Sequence, residues 1–340
     1  MRADAYSLDS VLGEKQQWVV PVYQRHYEWD TAEDKQLPKL WDDLREEALE
    51  RLDKRVPFPH YFGAIIYSEP ANQPFGAIRK RFLIDGQQRI TTFQLVLAAI
   101  KEAANEHKIA RIVDVVNSYL YNEKSASMQD PQRERFKLWP SSYDRQRYQQ
   151  IVELPLAKLR TAQKDAFYKN GGLIKGKASN LLRAYCFLVD AISQFMAEQT
   201  KEAGFTAESA LDAVLAGFLS GFQLVVIQLD QNDDAQEIFA SLNGLGKPLS
   251  PFDLIRNDVF HRARKTGEDD EQLFDGRWKS FEQPFWTEQV RQGRFKRARA
   301  DHLIAHAVVA ETAHEVNVGK IATEYQRYAH ERNFPTVCVS

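Results

Sequence analysis

The chain has 340 residues, 44% of them hydrophobic and 27% charged, with a formal net charge of −2. These values are typical of a soluble globular protein with two domains. They exclude a protein that binds nucleic acid as an overall polycation, so any DNA binding must use a local patch.

Cysteine usage and hydropathy restrict the class further. Cys186 and Cys338 are the two cysteines and lie far apart in the sequence, which excludes a disulfide framework and a cysteine zinc site. The sequence has no signal-peptide core at its start and no apolar run of membrane-spanning length. We therefore expect a cytoplasmic protein with no membrane partner.

The first hundred residues predict a small sheet with helices. Strand patterns cover Trp18–Val22, His60–Tyr67 and Arg81–Ile84, the second with a glycine at a close approach. Thr31 is expected to begin one helix, and apolar residues at helical spacing predict a longer one over Ile90–Ala104.

The five residues Asp85–Arg89 join the last of these strands to the longer helix. At such a turn free backbone N–H groups and the helix dipole favour an anion. Gly86 would allow close approach of a ligand, Arg89 could fork onto a phosphate, and Thr91 adds a hydroxyl in the first turn. No Walker sequence is present. The pattern indicates either a phosphate site or a capped helix start with a surface arginine.

An aromatic segment, Tyr23–Asp30, follows the first strand. Tyr23, Tyr27 and Trp29 could stack on bases or sugars, or they could pack in the core. Arg25 could bind a phosphate or be a surface charge. The residues alone leave both alternatives open.

Residues 105–217 are almost wholly helical in pattern and predict a helical insertion. Within it, Arg133–Pro140 is extended, basic and aromatic, and Gly171–Lys177 is typical of a flexible linker. The four periodic stretches are Ile112–Tyr121, Tyr143–Leu154, Ala178–Ala197 and Ala207–Leu219. Phe222–Leu229 then predicts a strand that rejoins the first sheet.

A third polar region follows this strand. We predict a helix over Asp233–Leu242, a glycine-containing loop to Leu249, and a helix capped by Ser250 with Pro251 at its first position. The last helix presents Asp253, Arg256 and Asn257 on one side. This arrangement is either part of a site or a connector helix with a local ion pair between Asp253 and Arg256.

Two features of the C-terminal helical region remain. Gln292–Arg299 is the most basic run, and it could contact a DNA backbone or begin a solvated helix. His302 and His306 have the i, i+4 spacing of metal ligands, but no glutamate follows His302, so the zincin pattern is absent and a metal site is not favoured.

Three of these stretches, in the same order, resemble motifs of one family, the N-terminal domain of GmrSD-type and SspE-type modification-dependent restriction proteins. They are Val20–Trp29, Phe82–Thr92 and Ile238–Asn257. The resemblance implies an α+β fold with a small mixed sheet of the ParB/sulfiredoxin-like kind. Its core would comprise residues 1–104 and 219–264, and the helical insertion would comprise residues 105–218. A helical region, residues 265–340, would lead to a missing or separate nuclease domain.

The resemblance also implies a bacterial anti-phage function. Such a domain hydrolyses a nucleoside triphosphate, with GTP as the favoured nucleotide and Mg²⁺ as the metal, and senses modified double-stranded DNA carrying phosphorothioates or modified cytosine. A C-terminal or separate HNH-type nuclease then cuts, and a homo-oligomer is left open. Because no His-Asn-His constellation precedes Ser340, nuclease activity is not predicted for this chain.

Motif by motif, the resemblance assigns residues to three roles. Asp85, Gln87, Gln88 and Arg89 would be catalytic, with Asp85 also a Mg²⁺ ligand. Nucleotide binding would use Gly86, Thr91, Asn243, Lys247, Asp253, Arg256 and Asn257. Sensing of the DNA modification would use Tyr23, Gln24, Arg25, Tyr27 and Trp29. The alternatives are a DNA reader without hydrolysis and a ParB-like nuclease centred on Asp85.

Overall fold

The structure, a computed structural model, describes residues 2–33, 35–55, 58–70, 72–201, 203–230, 233, 250–265, 267–293, 295–312 and 320–331. The chain forms two compact units. The first comprises Met1–Val20 and His26–Asp233, and the second comprises Pro21–Arg25 and Asp234–Ser340. Each unit has its own apolar core.

A six-stranded mixed sheet is the centre of the first unit, with strand order β1-β6-β3-β4-β2-β5. The strands are β1 (Arg2–Ser7), β2 (Gln16–Val19), β3 (His60–Ser68), β4 (Arg79–Asp85), β5 (Leu138–Trp139) and β6 (Phe222–Leu229). The prediction that the last strand rejoins the sheet is confirmed, because β6 pairs with β1 and with β3. Since β2 is parallel to both β4 and β5, the C-terminal ends of these three strands share one edge.

Helices surround this sheet, and the mixed α+β class is confirmed. They are α1 (Leu8–Gly13), α2 (Gln36–Leu52), α3 (Gln87–Glu106), α4 (Ala110–Leu120), α5 (Pro131–Glu134), α6 (Ser142–Glu153), α7 (Leu156–Ala162), α8 (Asn180–Lys201) and α9 (Ala207–Ala216). α3 is the central helix, because every residue from Ile90 to Ile100 is buried.

The helix predicted to begin at Thr31 had the wrong boundary. α2 begins at Gln36 rather than Thr31, because the Asp30 carboxylate accepts the Thr31 N–H and pairs with Arg183 of α8, which holds this segment outside the helix. The chain before Leu8 is a strand, which pairs with β6 along its whole length.

Lys137 lies in the basic stretch that was predicted to be extended, and its side chain is buried. Its Nζ donates to the carbonyl of Gly13 at 2.9 Å and to that of Glu14. These carbonyls end α1, where a helix has free acceptors. Burial lowers the pKa of Lys137 to about 8.

This pKa predicts a pH dependence of stability. Between about pH 8 and the ordinary lysine value of 10.5, the folded protein has lost a proton that the unfolded chain still holds, so the free energy of unfolding should rise with pH. The rise should be absent in Lys137→Met. Chemical denaturation of both proteins at several pH values in this window measures the difference, and parallel curves would contradict the assignment.

The second unit contains short helices and one hairpin. Its elements are α10 (Pro251–Lys265), α11 (Asp270–Leu273), α12 (Pro284–Thr287), β7 (Gln289–Gln292), β8 (Phe295–Ala298), α13 (Arg299–Thr312) and α14 (Ile321–Glu331). Phe260 of α10 packs against Phe274 and Trp278. α10 therefore belongs to the second core, although the sequence-based division extended the first core to residue 264. No helix in the described ranges is both long and apolar enough to cross a membrane.

Candidate functional site

The strand-to-helix corner is built on Gly86. This residue has φ +91° between the end of β4 and the first turn of α3. A Cβ at this position would lie 2.5 Å from Cγ2 and 3.1 Å from Cα of Ile65 in β3. Glycine is therefore required both by the left-handed backbone and by the space. The sequence predicted a close approach of a ligand at Gly86, whereas the close approach in the structure is that of the corner to Ile65 of the neighbouring strand.

Arg89 extends from the first turn of α3 back onto β3. Its Nη1 donates to the carbonyl of Ala64 at 3.0 Å and lies 3.6 Å from Oδ2 of Asp85. The guanidinium covers Gly63, where a Cβ would lie 3.0 Å from Nε. This contact explains why β3 has a glycine there, as the sequence pattern had suggested. The arginine is thus held in place and is not a free surface charge.

The corner leaves hydrogen-bond donors available. The side chains of Arg89 and Asp85 are 32% and 39% exposed, and Ala64 is the one hydrogen-bond acceptor of the guanidinium within the described ranges. The N-cap Gly86 offers no side-chain acceptor to the first turn of α3, and the first intrahelical bond is from Ile90 N to Gly86 O. An anion at this corner would therefore meet both a guanidinium and backbone N–H groups that have no acceptor within the described ranges.

Gln88 has a different task from its neighbours. It is buried, its Oε1 accepts the Glu28 N–H at 2.8 Å, and its Nε2 donates to the His26 carbonyl at 3.1 Å. The oxygen and the nitrogen of the Gln88 amide thus both hold the aromatic segment Tyr23–Asp30 (the aromatic loop) against α3. The catalytic role that the family resemblance implies for Gln88 would require these bonds to break before its amide could contact phosphate or water. Gln87 is half-buried, with no side-chain hydrogen bond to any described residue.

We expect Gln88→Leu to lower the free energy of unfolding by roughly 1–3 kcal/mol, because Glu28 N and His26 O lose their partner. Gln87→Leu, at the adjacent position, is the matched control and should change stability by no more than about 0.5 kcal/mol. Urea denaturation measures both. Equal effects of the two substitutions would show that the loop does not depend on the Gln88 amide.

Tyr27 anchors the same loop from inside the core. It is 3% exposed, its hydroxyl lies 2.8 Å from Thr92 Oγ1, and its backbone N–H donates to Asp144 Oδ2 at 2.7 Å. Burial raises the pKa of Tyr27 far above its ordinary value and also raises that of Asp144. The expected stacking of Tyr27 on DNA does not fit this environment, because its ring is inaccessible. Thr91 is buried as well.

Other aromatic groups of the loop are accessible. The exposed His26 ring lies 5.0 Å from the ring of Tyr143, which is 50% exposed. Trp29 is half-buried beside Phe62. Sequence reasoning missed Tyr143 and Asp144. β5 is parallel to β2, so both strands end at the same edge of the sheet. The segment after β5, which begins the helix with Ser141 and Ser142, therefore lies near the loop that follows β2.

Comparison with known proteins identifies the family. Residues 8–260 match the model described as the GmrSD restriction endonuclease, N-terminal domain. The chain belongs to this family. The matched range includes both the corner and the aromatic loop, and no curated protein matches the chain. As a GmrSD N-terminal domain, the protein has a role in a restriction system and antiviral defence, which implies interaction with DNA and a nuclease partner domain.

The other predicted residues of the GmrSD domain lie in the second unit. Tyr23 is buried and stacks on Phe260 with ring centroids 4.9 Å apart. Gln24 and Arg25 are half-buried, and Gln24 N donates to the Pro21 carbonyl. Tyr23 therefore contributes its ring to the core of this unit.

On α10 the polar side chains bind one another. Arg256 is buried and donates to Asp253 Oδ1 at 2.7 Å and to Glu282 Oε1 at 2.8 Å. The local ion pair that the sequence offered as the alternative is thus present, with Glu282 as an unpredicted third member. Asn257 is half-buried. Asn243 and Lys247 lie outside the described residues.

A Mg²⁺ ion at the GmrSD corner would have one protein ligand. Within the described ranges no three His, Cys, Asp or Glu side chains converge as a metal cluster, and Asp85 is the acidic side chain that the corner offers. One carboxylate together with phosphate oxygens and water is a common Mg²⁺ environment. The donors present therefore fit a nucleotide-bound Mg²⁺ better than a metal held by protein alone.

Proposed function

We propose that the corner formed by Asp85–Arg89 binds the phosphates of a nucleoside triphosphate and that the domain hydrolyses it, with GTP as the favoured nucleotide and Mg²⁺ as the metal. The observation that carries this proposal is the position of Arg89. One N–H group is fixed by the Ala64 carbonyl, the side chain is 32% exposed, and Arg89 belongs to the first turn of α3, whose start has no side-chain cap. A preorganised guanidinium next to backbone donors is the arrangement that stabilises charge in phosphoryl transfer.

Each corner residue then has a role in nucleotide binding or hydrolysis. Arg89 neutralises charge that develops on the phosphoryl oxygens, and the backbone N–H groups of Gln87 and Gln88 bind phosphate. The Gln87 amide orients phosphate or the attacking water. Asp85 either binds Mg²⁺ or orients the water, and Mg²⁺ would neutralise phosphate charge. Gln88 acts as a positioning residue, because its amide is used by the loop.

We further propose that modified DNA is sensed at the accessible groups of the segment 26–29 and that this sensing regulates turnover and the partner HNH-type nuclease. Gln88 supports this coupling, because it holds the loop at His26 and Glu28 and is the immediate neighbour of Arg89. Any shift of the loop therefore acts on the first turn of α3. Such coupling must be reciprocal, so nucleotide and modified DNA should change each other's affinity by the same factor.

The test measures phosphate release from ATP, GTP, CTP and UTP alone and with plain, phosphorothioate or glucosylated duplexes. We expect hydrolysis of at least one nucleotide and stimulation by one modified duplex but not by the plain one. Duplex affinity measured with a non-hydrolysable analogue should change correspondingly. The absence of hydrolysis under every combination would overturn the enzymatic proposal.

One observation favours a second candidate, a DNA reader without hydrolysis. Asp85 Oδ2 lies 3.6 Å from Arg89 Nη1, so the guanidinium already engages the carboxylate that hydrolysis would use for Mg²⁺ or for water. In that case the same donors would bind a DNA phosphate. This alternative predicts equal duplex affinity with and without every nucleotide and a steep loss of affinity with salt.

A further inference from the structure

The most basic stretch of the sequence, residues 292–299, contains a strand that the sequence pattern did not indicate. It contributes to an antiparallel hairpin of β7 and β8, and its last residue, Arg299, begins α13. The hairpin follows the range matched by the family model, which ends at residue 260. The family comparison therefore assigns it no role.

The strand register places two cations directly opposite each other. Arg291 of β7 pairs with Lys296 of β8, so both side chains are on the same face of the hairpin, and both are exposed. Neither forms an ion pair with a described residue, and Arg291 Nε donates to the carbonyl of Gly293. Like charges in directly opposed positions destabilise a strand pair. An anion from another molecule would relieve this repulsion.

A cavity of about 490 Å³ adjoins this face. Lys296 lines it together with Lys320, which begins the segment leading into α14, and with Ser250 before α10. Lys320 is exposed and has no ion-pair partner in the described ranges. The acidic lining residue, Asp301, is buried and accepts the Phe252 N–H at 2.9 Å. The accessible charge is therefore positive.

The hairpin is fixed to α13 by the two histidines whose spacing suggested a metal site. His306 Nε2 lies 3.0 Å from Gln292 Nε2, and His302 Nε2 lies 3.4 Å from the Val290 carbonyl. Arg299 also binds Glu288, just before β7. These contacts give the histidines a structural use and hold the basic face in a defined position.

We propose that the hairpin face of Arg291 and Lys296, with Lys320 beside it, binds the phosphate backbone of double-stranded DNA. A two-stranded ribbon has the width of the major groove, and exposed cations bind phosphate. With a net charge of −2, the chain needs a local basic patch to bind DNA at all. This inference rests on the proposed function for its ligand and adds the surface that positions it.

The test uses the full chain and fluorescence anisotropy with plain and modified duplexes over a series of salt concentrations. The double variant Arg291→Ala/Lys296→Ala should lose about tenfold in affinity for both duplexes, and the slope of log affinity against log salt should fall by about two. Lys124→Ala/Lys201→Ala, which removes two exposed cations from the first unit, is the matched control and should bind normally. Nucleotide hydrolysis without DNA should be unchanged in both.

A third variant separates binding from folding. Lys296→Glu places opposite charges across the hairpin, so its melting temperature should equal or exceed that of the wild type while duplex affinity falls further. Wild-type affinity in the hairpin variants would overturn the assignment, as would loss confined to a glucosylated duplex, because phosphate contacts do not read a modification carried by the base. If the wild type bound no duplex, the proposal that this chain recognises DNA would be wrong. Normal wild-type binding with unaffected variants would refute the hairpin alone.

Discussion

Gly86→Ala should abolish nucleotide turnover and lower the free energy of unfolding by roughly 2 to 5 kcal/mol. About 1–2 kcal/mol of this comes from placing a Cβ on a left-handed backbone, here with φ +91°. A further 1–3 kcal/mol, approximately, comes from overlap with Ile65, whose Cα lies within 3.1 Å of the new atom. Because backbone as well as side chain is contacted, relief requires β3 and α3 to separate.

Gly76→Ala isolates the backbone contribution. Gly76 also has a positive φ, +79°, but a Cβ added there would have no atom within 4 Å, so the cost should be about 1–2 kcal/mol with normal turnover. Urea denaturation and phosphate release on both variants make the comparison. If Gly86→Ala were no more destabilised than Gly76→Ala, the close packing of the corner on β3 would be wrong.

Arg89→Ala should reduce nucleotide hydrolysis by about 10²–10³-fold, the typical cost of removing one preorganised donor from a developing charge. Its effect on stability should be small, about 1 kcal/mol, because the ion pair with Asp85 is one-third exposed and solvent screens it. Turnover and stability should thus separate, in contrast to Gly86→Ala. Steady-state phosphate release and thermal melting measure the two effects.

Arg89→Lys should not restore activity. An ammonium lacks the planar fork, so it cannot hold the Ala64 carbonyl and two phosphate oxygens in the geometry of the guanidinium, which already donates one N–H to Ala64. Arg79→Ala, at the exposed start of β4, removes an arginine from the far end of the strand that leads into the corner and serves as the control with normal turnover. Turnover in Arg89→Ala equal to that of this control would contradict the catalytic role of Arg89.

Local features of the fold could be predicted because neighbouring residues encode them. The alternating strand Phe222–Leu229, the turn at Gly86 and the long helix after it were all present in the pattern. The sequence also indicated a close approach at Gly63, since a glycine interrupts an apolar strand. Its partner, Arg89, was not predictable, because that contact depends on the antiparallel pairing of β3 with β4.

Burial decides the remaining differences. Tyr27 and Tyr23 read equally well as stacking groups or as core residues, and only tertiary packing places their rings inside. Gln88 and Gln87 are identical side chains in adjacent positions, yet helix geometry turns one toward the loop. The hairpin of β7 and β8 was missed because polar and charged residues together outnumber the apolar ones in its strands, which removes the apolar alternation that strands usually show.

The most direct test of the corner is a crystal structure of the protein with a non-hydrolysable triphosphate analogue. Phosphate oxygens should lie within hydrogen-bond distance of the Arg89 guanidinium and of the backbone N–H groups at the start of α3. A nucleotide bound elsewhere, with Arg89 still donating to Ala64 alone, would contradict the assignment of this corner as the phosphate site.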